Sequence, residues 1–361
     1  MKRVVYIILA AALSVSLLSG CIRTGSGGKY AGQTLHFYNP GEYIGEDVIS
    51  EFEYLTGCRV LMDNFDSNES MYIKIANGDA YDVIVPSDYM IERLISEDLL
   101  QPLDKSLITC LDKLDPNVLS RMDFDPDQTY SVPYFWGTVG IIYDTTVVDY
   151  EDLENDGYGI FKNQKYKGDI YLYDSERDSM MMALKYLGYS MNTKDEGELN
   201  EAYAFFEEIV RTMDPEIVTY EIIDNMAQGR KALGIMYSGD AVYAISENED
   251  MDFYMPETGT NVWIDCMVIP KNAEHVELAH EWINYISEYT AALDNSITVG
   301  YTSPNLEVME ELSGDGGEYE GIGAYIPRTD NENDEVFHYD PDARKIMANL
   351  WGKVKIAASN N

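Results

Sequence analysis

The chain has 361 residues, of which 64 are Asp or Glu and only 25 are Lys or Arg, for a formal charge of −39. A surface this acidic lacks the basic face that a phosphate backbone needs, which argues against nucleic-acid binding. It suits either a protein that meets cations or an exported protein kept soluble by its charge.

The chain opens with Lys2 and Arg3 before an apolar run from Val4 to Leu18, too short for a stable membrane span, so residues 1–20 read as a signal peptide. The run stops at Leu18-Ser19-Gly20-Cys21, which resembles the bacterial lipobox: small residues admit the signal peptidase and the Cys21 sulfur takes the lipid. Residues 21–32, with Gly25, Ser26, Gly27 and Gly28, then form a flexible tether. A chain processed in this way is exported and anchored by lipid to the outer face of the cell membrane, or is periplasmic.

Roughly 330 residues follow, enough for two lobes. Thr34 to Asn39 reads as a strand, and Val48, Ile49, Phe52 and Leu55 give the apolar stripe of a helix stopped by Gly57. Arg59 to Met62 and Asp82 to Val85 are further strands, and Asp88 reads as the N-cap of a helix over Tyr89 to Ser96. Asp123-Phe124-Asp125-Pro126-Asp127 has the start of a calcium loop but lacks glycine at the sixth position (Gln128) and glutamate at the twelfth (Tyr134).

Val139 to Tyr143 and Asp169 to Tyr173 begin a second α/β region, with helices over Ser179 to Leu187, closed by Gly188, and over Glu198 to Met213. Asn261 to Pro270 is a returning strand, and Leu278, Trp282, Ile283 and Ile286 mark the buried face of the helix after it. The alternation implies α/β lobes with mixed, mostly parallel sheets flanked by helices, and a cleft beyond the carboxyl ends of the strands. The chain crosses between lobes near 137–141 and 258–264. Cys58, Cys110 and Cys266 are an odd number in an exported chain and read as buried thiols rather than a disulfide framework. No spacing of Cys or His suits a metal site.

No nucleophile elbow, zinc-protease helix or phosphate loop is present, so no catalytic apparatus and no cofactor are expected. What recurs is an aromatic ring beside a carboxylate at strand ends: Asn39-Pro-Gly-Glu42-Tyr43, Pro86-Ser87-Asp88-Tyr89, Tyr173-Asp174-Ser-Glu-Arg-Asp178, Tyr237-Ser-Gly-Asp240 and Trp263-Ile-Asp265. Any one of these is ordinary turn and cap chemistry. Five at converging junctions point to an alkyl ammonium, whose N–H groups need a carboxylate and whose methylenes and charge suit an aromatic face.

These segments resemble the spermidine/putrescine-binding proteins of ATP-binding-cassette importers, a branch of the two-lobed periplasmic binding protein superfamily. The stretches that carry the likeness are Phe37-Tyr-Asn-Pro-Gly-Glu-Tyr43, Ser67-Asn-Glu-Ser-Met-Tyr72, Tyr81-Asp-Val-Ile-Val-Pro-Ser87, Tyr130-Ser-Val-Pro-Tyr-Phe-Trp-Gly137, Leu187-Gly-Tyr-Ser190, Trp263-Ile-Asp265 and Gly300-Tyr-Thr-Ser-Pro-Asn305. The resemblance implies a type II fold with an N-terminal lobe of 33–138 and 264–309, a C-terminal lobe of 139–263 and 310–361, and a polyamine in the cleft. It places Glu42, Tyr43, Ser87 and Tyr89 on the first wall, Asp178 with Asp174 at one ammonium, Trp263 along the methylenes, and Asp265 at another nitrogen. Tyr237 and Tyr301 close the aromatic box, and Asp240 matches an aspartate of putrescine-preferring members. The chain departs from the family where Pro40-Gly41 replace Trp-Thr or Trp-Ser, Tyr237 replaces Trp, and Ser175 replaces an acid. The partners implied are permease subunits, with the protein acting as a monomer. The alternatives are a sugar or ferric-ion binder on the same architecture, a sensor docking to a receptor, and an exported enzyme.

Overall fold

A computed structural model describes residues 28–360, so the signal peptide and the Cys21 lipobox lie outside the described residues. The first half contains β1 (Thr34–Pro40), α1 (Val48–Thr56), β2 (Arg59–Phe65), α2 (Asn68–Ala76), β3 (Val83–Ile84), α3 (Asp88–Ser96) and α4 (Pro116–Ser120). A long strand, β4 (Ser131–Asp144), leads to α5 (Tyr150–Asp156), β5 (Tyr171–Tyr173), α6 (Glu176–Leu187), α7 (Glu196–Met213), β6 (Glu216–Val218) and α8 (Glu221–Ala227). There follow β7 (Leu233–Tyr237), α9 (Ser238–Glu247), β8 (Met251–Tyr254) and β9 (Val262–Val268), then α10 (Val276–Ser287), α11 (Tyr289–Val299), α12 (Leu306–Ser313) and α13 (Pro341–Ala358). Among the described residues no helix is long and apolar enough to cross a membrane.

The fold is α/β with two lobes, and β4 is what joins them. Its first part, Ser131 to Thr138, pairs with β9, while Val139 to Asp144 pairs with β7 and β8. The principal sheet runs β2-β1-β3-β9-β4-β7, with β8 also on β4, and β5 and β6 form a separate parallel pair. The sheets are less parallel than the βα alternation implies. Pairings of β1 with β2 and β3 are parallel, but β3–β9, β9–β4, β4–β7 and β4–β8 are antiparallel. The reason is the crossing itself: a strand that enters the second lobe and one that returns beside it must run in opposite directions. Val308 and Leu312 of α12 cluster with Ala241 and Val242 of α9, so a boundary at 309 would cut a continuous helix. Pro304, just before it, still accepts from the Asp115 amide of the first half at 2.8 Å.

Local sequence explains the elements that hold the site. Gly57 and Gly188 end α1 and α6 in left-handed conformations at φ 76° and 80°, which glycine adopts without a Cβ clash. Along β9, Val262, Ile264, Cys266 and Val268 enter one apolar cluster while Trp263 and Met267 face another, the period-two alternation of a strand with both faces covered. Trp136 and Trp282 are fully buried. Cys58, Cys110 and Cys266 are buried free thiols. Asp125 is a turn former: its carboxylate accepts from the amides of Thr129, Tyr130 and Ser131 and from the Ser131 hydroxyl.

Candidate functional site

Between the two halves lies a cavity of about 730 Å³. Glu42, Tyr43, Ser87, Tyr89, Asp178, Tyr237, Asp240, Trp263, Asp265 and Tyr301 all line it. Asp174 does not. Its carboxylate accepts from Trp351 Nε1 at 2.7 Å and pairs with Lys355 at 3.0 Å, so it fastens β5 to α13.

The first wall begins where β1 ends. The Tyr43 carbonyl accepts from Asn39 Nδ2 (2.8 Å) and Tyr134 Oη (2.6 Å), which fixes the turn that includes Glu42 at φ 53°. The Tyr43 hydroxyl then donates to Asp265 Oδ2 at 2.7 Å. Ser87 bridges to Asp265 across the sheet and is bracketed by Asn68, whose Oδ1 accepts from its amide (3.1 Å) and whose Nδ2 donates to its hydroxyl (3.0 Å). Burial raises the Asp265 pKa, and the Ser87 and Tyr43 hydroxyls offset part of that.

The N-cap of α3 is Ser87 rather than Asp88, which occupies the first helical position. The Asp88 carboxylate accepts from the amides of Tyr89 (2.6 Å) and Ile264 (3.2 Å), tying α3 to β9. A buried carboxylate spent on two amides serves the scaffold, and burial lifts its pKa well above the usual range.

On the other side, Ser175 caps α6: its Oγ accepts from the Asp178 amide at 3.3 Å and donates back to Asp178 Oδ2 at 2.7 Å. The Tyr237 hydroxyl donates to the same Asp178 oxygen at 2.6 Å. Asp240, in the first turn of α9, accepts from Tyr301 Oη at 3.0 Å, and burial pushes its pKa up to about 6 despite that bond. Two glycines permit this. A Cβ on Gly239 would fall 1.5 Å from the Tyr301 ring, and one on Gly137 would fall 2.5 Å from Trp263. The rings form a box: Trp263 lies 5.1 Å from Tyr301 and 6.2 Å from Tyr237, and Tyr43 meets Tyr301 edge-on at 5.5 Å.

Arg177, visible in the Asp174 to Asp178 motif but read there only as a spacer, also lines the cavity. Its guanidinium covers the Tyr89 ring at 3.7 Å and pairs with Glu69 of α2 at 3.1 Å, while Arg344 of α13 reaches the same oxygen at 3.2 Å. This clasp joins the halves across the rim. Tyr173, the ring of the same motif, lines the cavity too, and Tyr220, Asn261 and Phe337 join it without any local signal in the sequence, because the fold brings them in from separate segments.

Asp178, Asp240 and Asp265 have in common what they lack: among the described residues none is paired with a Lys, Arg or His. Buried acids elsewhere are spent on the scaffold: Asp334 is held by Arg328 at 2.7 Å, and Asp88, Asp115 and Asp125, also without a basic partner, accept from backbone amides. Three desolvated carboxylates, each given a tyrosine hydroxyl and walled by rings, form an unneutralised anionic cavity suited to a cation with apolar flanks.

A two-lobed α/β molecule with its cavity on the strand that joins the lobes defines the class of periplasmic-type solute-binding proteins. The chain belongs to the family of bacterial extracellular solute-binding proteins, whose profile matches residues 47–318. The spermidine/putrescine-binding periplasmic protein of Escherichia coli K12 is 34% identical over 352 residues, covering 95% of this chain and 94% of that protein. The putrescine/cadaverine-binding protein of Pseudomonas aeruginosa PAO1 is 26% identical and covers 94% and 98%. Among solved structures, the spermidine/putrescine ABC transporter substrate-binding protein PotD from Streptococcus pneumoniae is similar with a TM-score of 0.80 at 34% identity, over 91% of this chain and 100% of its own. The TpPotD lipoprotein of Treponema pallidum gives 0.76 at 26% identity, over 89% and 99%.

Proposed function

We propose that this protein is the extracytoplasmic substrate-binding lipoprotein of an ABC importer and that it holds a polyamine, spermidine or putrescine, in the cavity between its lobes. The observation that carries the reading is the trio Asp178, Asp240 and Asp265, cavity acids with tyrosine hydroxyls but no basic partner, around the Trp263 and Tyr301 rings. The names of its relatives support the same ligand class. Charged hydrogen bonds contribute roughly 1.5 to 3 kcal/mol each, and three of them approach the roughly 8 kcal/mol of a micromolar complex. Ring contacts of about 0.5 to 2 kcal/mol help to offset the freezing of a flexible chain.

Calorimetric titration tests the reading. Putrescine or spermidine should bind at micromolar concentration or below, while the uncharged diol with the putrescine chain should give no heat. A folded protein that ignores both amines at low salt refutes it.

Anchoring is the second part of the proposal. Cys21, after Leu18-Ser19-Gly20, takes the lipid, and the lipoprotein status of the Treponema relative favours this. Cys21→Ala should release the protein from the membrane fraction or leave it unprocessed. A variant that stays membrane-bound at the wild-type processed size would show that another feature holds it there.

A further inference from the structure

Asn261 is 2% exposed, lines the cavity, and its Oδ1 has no hydrogen-bond partner. Buried acceptors are nearly always satisfied, and an orphan inside a binding cavity is an acceptor left for something else. Its carbonyl is engaged. The Asn261 carbonyl accepts from the Val139 amide at 3.0 Å, and residue 261 bridges to Glu335, whose own amide and carbonyl bond to Thr260 and Val262. The strand is thus held in place on both sides, which fixes where its side chain starts.

We propose that Asn261 is a further ligand-binding residue, its amide oxygen accepting a hydrogen bond from an N–H group of the bound amine; this rests on the polyamine reading. Asn261 precedes Trp263 by two residues and Asp265 by four, so all three fall on one face of the strand. That face presents a neutral acceptor, a ring and a carboxylate along a span of roughly 13 Å. An ammonium has more N–H donors than one carboxylate and one hydroxyl can satisfy, and an amide oxygen takes a remaining donor without adding charge to a cavity that already holds three acids. Its surroundings offer no substitute. Phe337 and Trp263 present rings, and the Glu335 carboxylate is occupied by Lys185 at 2.9 Å and the Ser190 hydroxyl at 2.7 Å.

Asn261→Leu keeps the volume and removes the acceptor, and Asn261→Asp restores an acceptor with charge. Putrescine and spermidine are titrated calorimetrically into the parent and both variants, and each ligand-free protein is melted. The leucine variant should bind the tighter of the two amines about tenfold more weakly, a change of about 1.4 kcal/mol. Its ligand-free melting temperature should hold or rise, because an unpaired buried acceptor has been removed. The aspartate variant should bind as tightly as the parent or more so. Leucine binding equal to the parent overturns the inference. So does weaker binding that accompanies a fall in the ligand-free melting temperature, or an aspartate variant as weak as the leucine one. A parent that binds neither amine instead overturns the polyamine reading itself, a result distinguishable from these.

Discussion

Asp265→Asn should weaken polyamine binding by between about tenfold and a hundredfold, the loss of one charge-assisted hydrogen bond, and leave the ligand-free melting temperature unchanged or higher. The asymmetry follows from its surroundings. Asp265 receives the Tyr43 and Ser87 hydroxyls but no cation, and burial already works against its charge. Asparagine keeps the size and one acceptor oxygen, so the Tyr43 contact survives while the desolvated charge disappears. Calorimetry with the better amine, together with a melt of the free protein, reads both quantities. A variant that binds like the parent but melts earlier would assign the carboxylate to the scaffold.

The second large effect is expected in the pH dependence, through Asp240. Its pKa rises from 3.8 to about 6 on folding, so between those values the folded chain keeps a proton that the unfolded chain has released. Stability therefore falls as pH rises through that window, and above it the free protein bears the cost of a partly desolvated charge. A bound ammonium reverses the preference and draws the carboxylate into its ionised form. At about pH 5.5, amine binding should release a proton and be weaker than at about pH 7.5, where the release disappears. Titrations in buffers of different ionisation enthalpy measure the proton directly. Asp240→Asn should abolish the release and raise the ligand-free melting temperature at neutral pH by a few °C. The gain is limited because surface area leaves Asp240 only partly buried and water screens it. Binding without proton uptake or release at about pH 5.5 would place the amine elsewhere.

The strand-end pairs were legible because they are local. A ring and an acid one to five residues apart at a strand end can be seen without knowing what faces them, and Tyr43, Asp178, Tyr237, Asp240, Trp263 and Asp265 all reach one cavity. Asp174 and Asp178 could not be told apart in the same way. They share a junction and differ only in which neighbour claims them: α13 supplies Trp351 and Lys355 to the first, and the Ser175 and Tyr237 hydroxyls donate to the second. Asp88 went the same way, since cap and first-turn positions differ by one residue and only Ile264, far along the chain, decides its task. Strand direction was beyond a reading of periodicity, which records alternation but not the partner. Asn261 and Phe337 left no trace for a similar reason, being an unremarkable polar residue and an ordinary apolar one until the crossing segments set them side by side.

Gly239 limits how this binding site can change. Any side chain there would occupy the volume of the Tyr301 ring, and with Tyr301 displaced Asp240 would lose its hydroxyl and Trp263 its neighbour. Several parts of the box thus depend on one missing methyl group. Ser175, Asp240 and Asn261 are different, because each already carries a side chain on the cavity wall. Divergence toward a new solute, whether by natural drift or in a mutant library, can exchange one side chain for another at such positions, while position 239 must remain glycine until Tyr301 has first been replaced by something smaller.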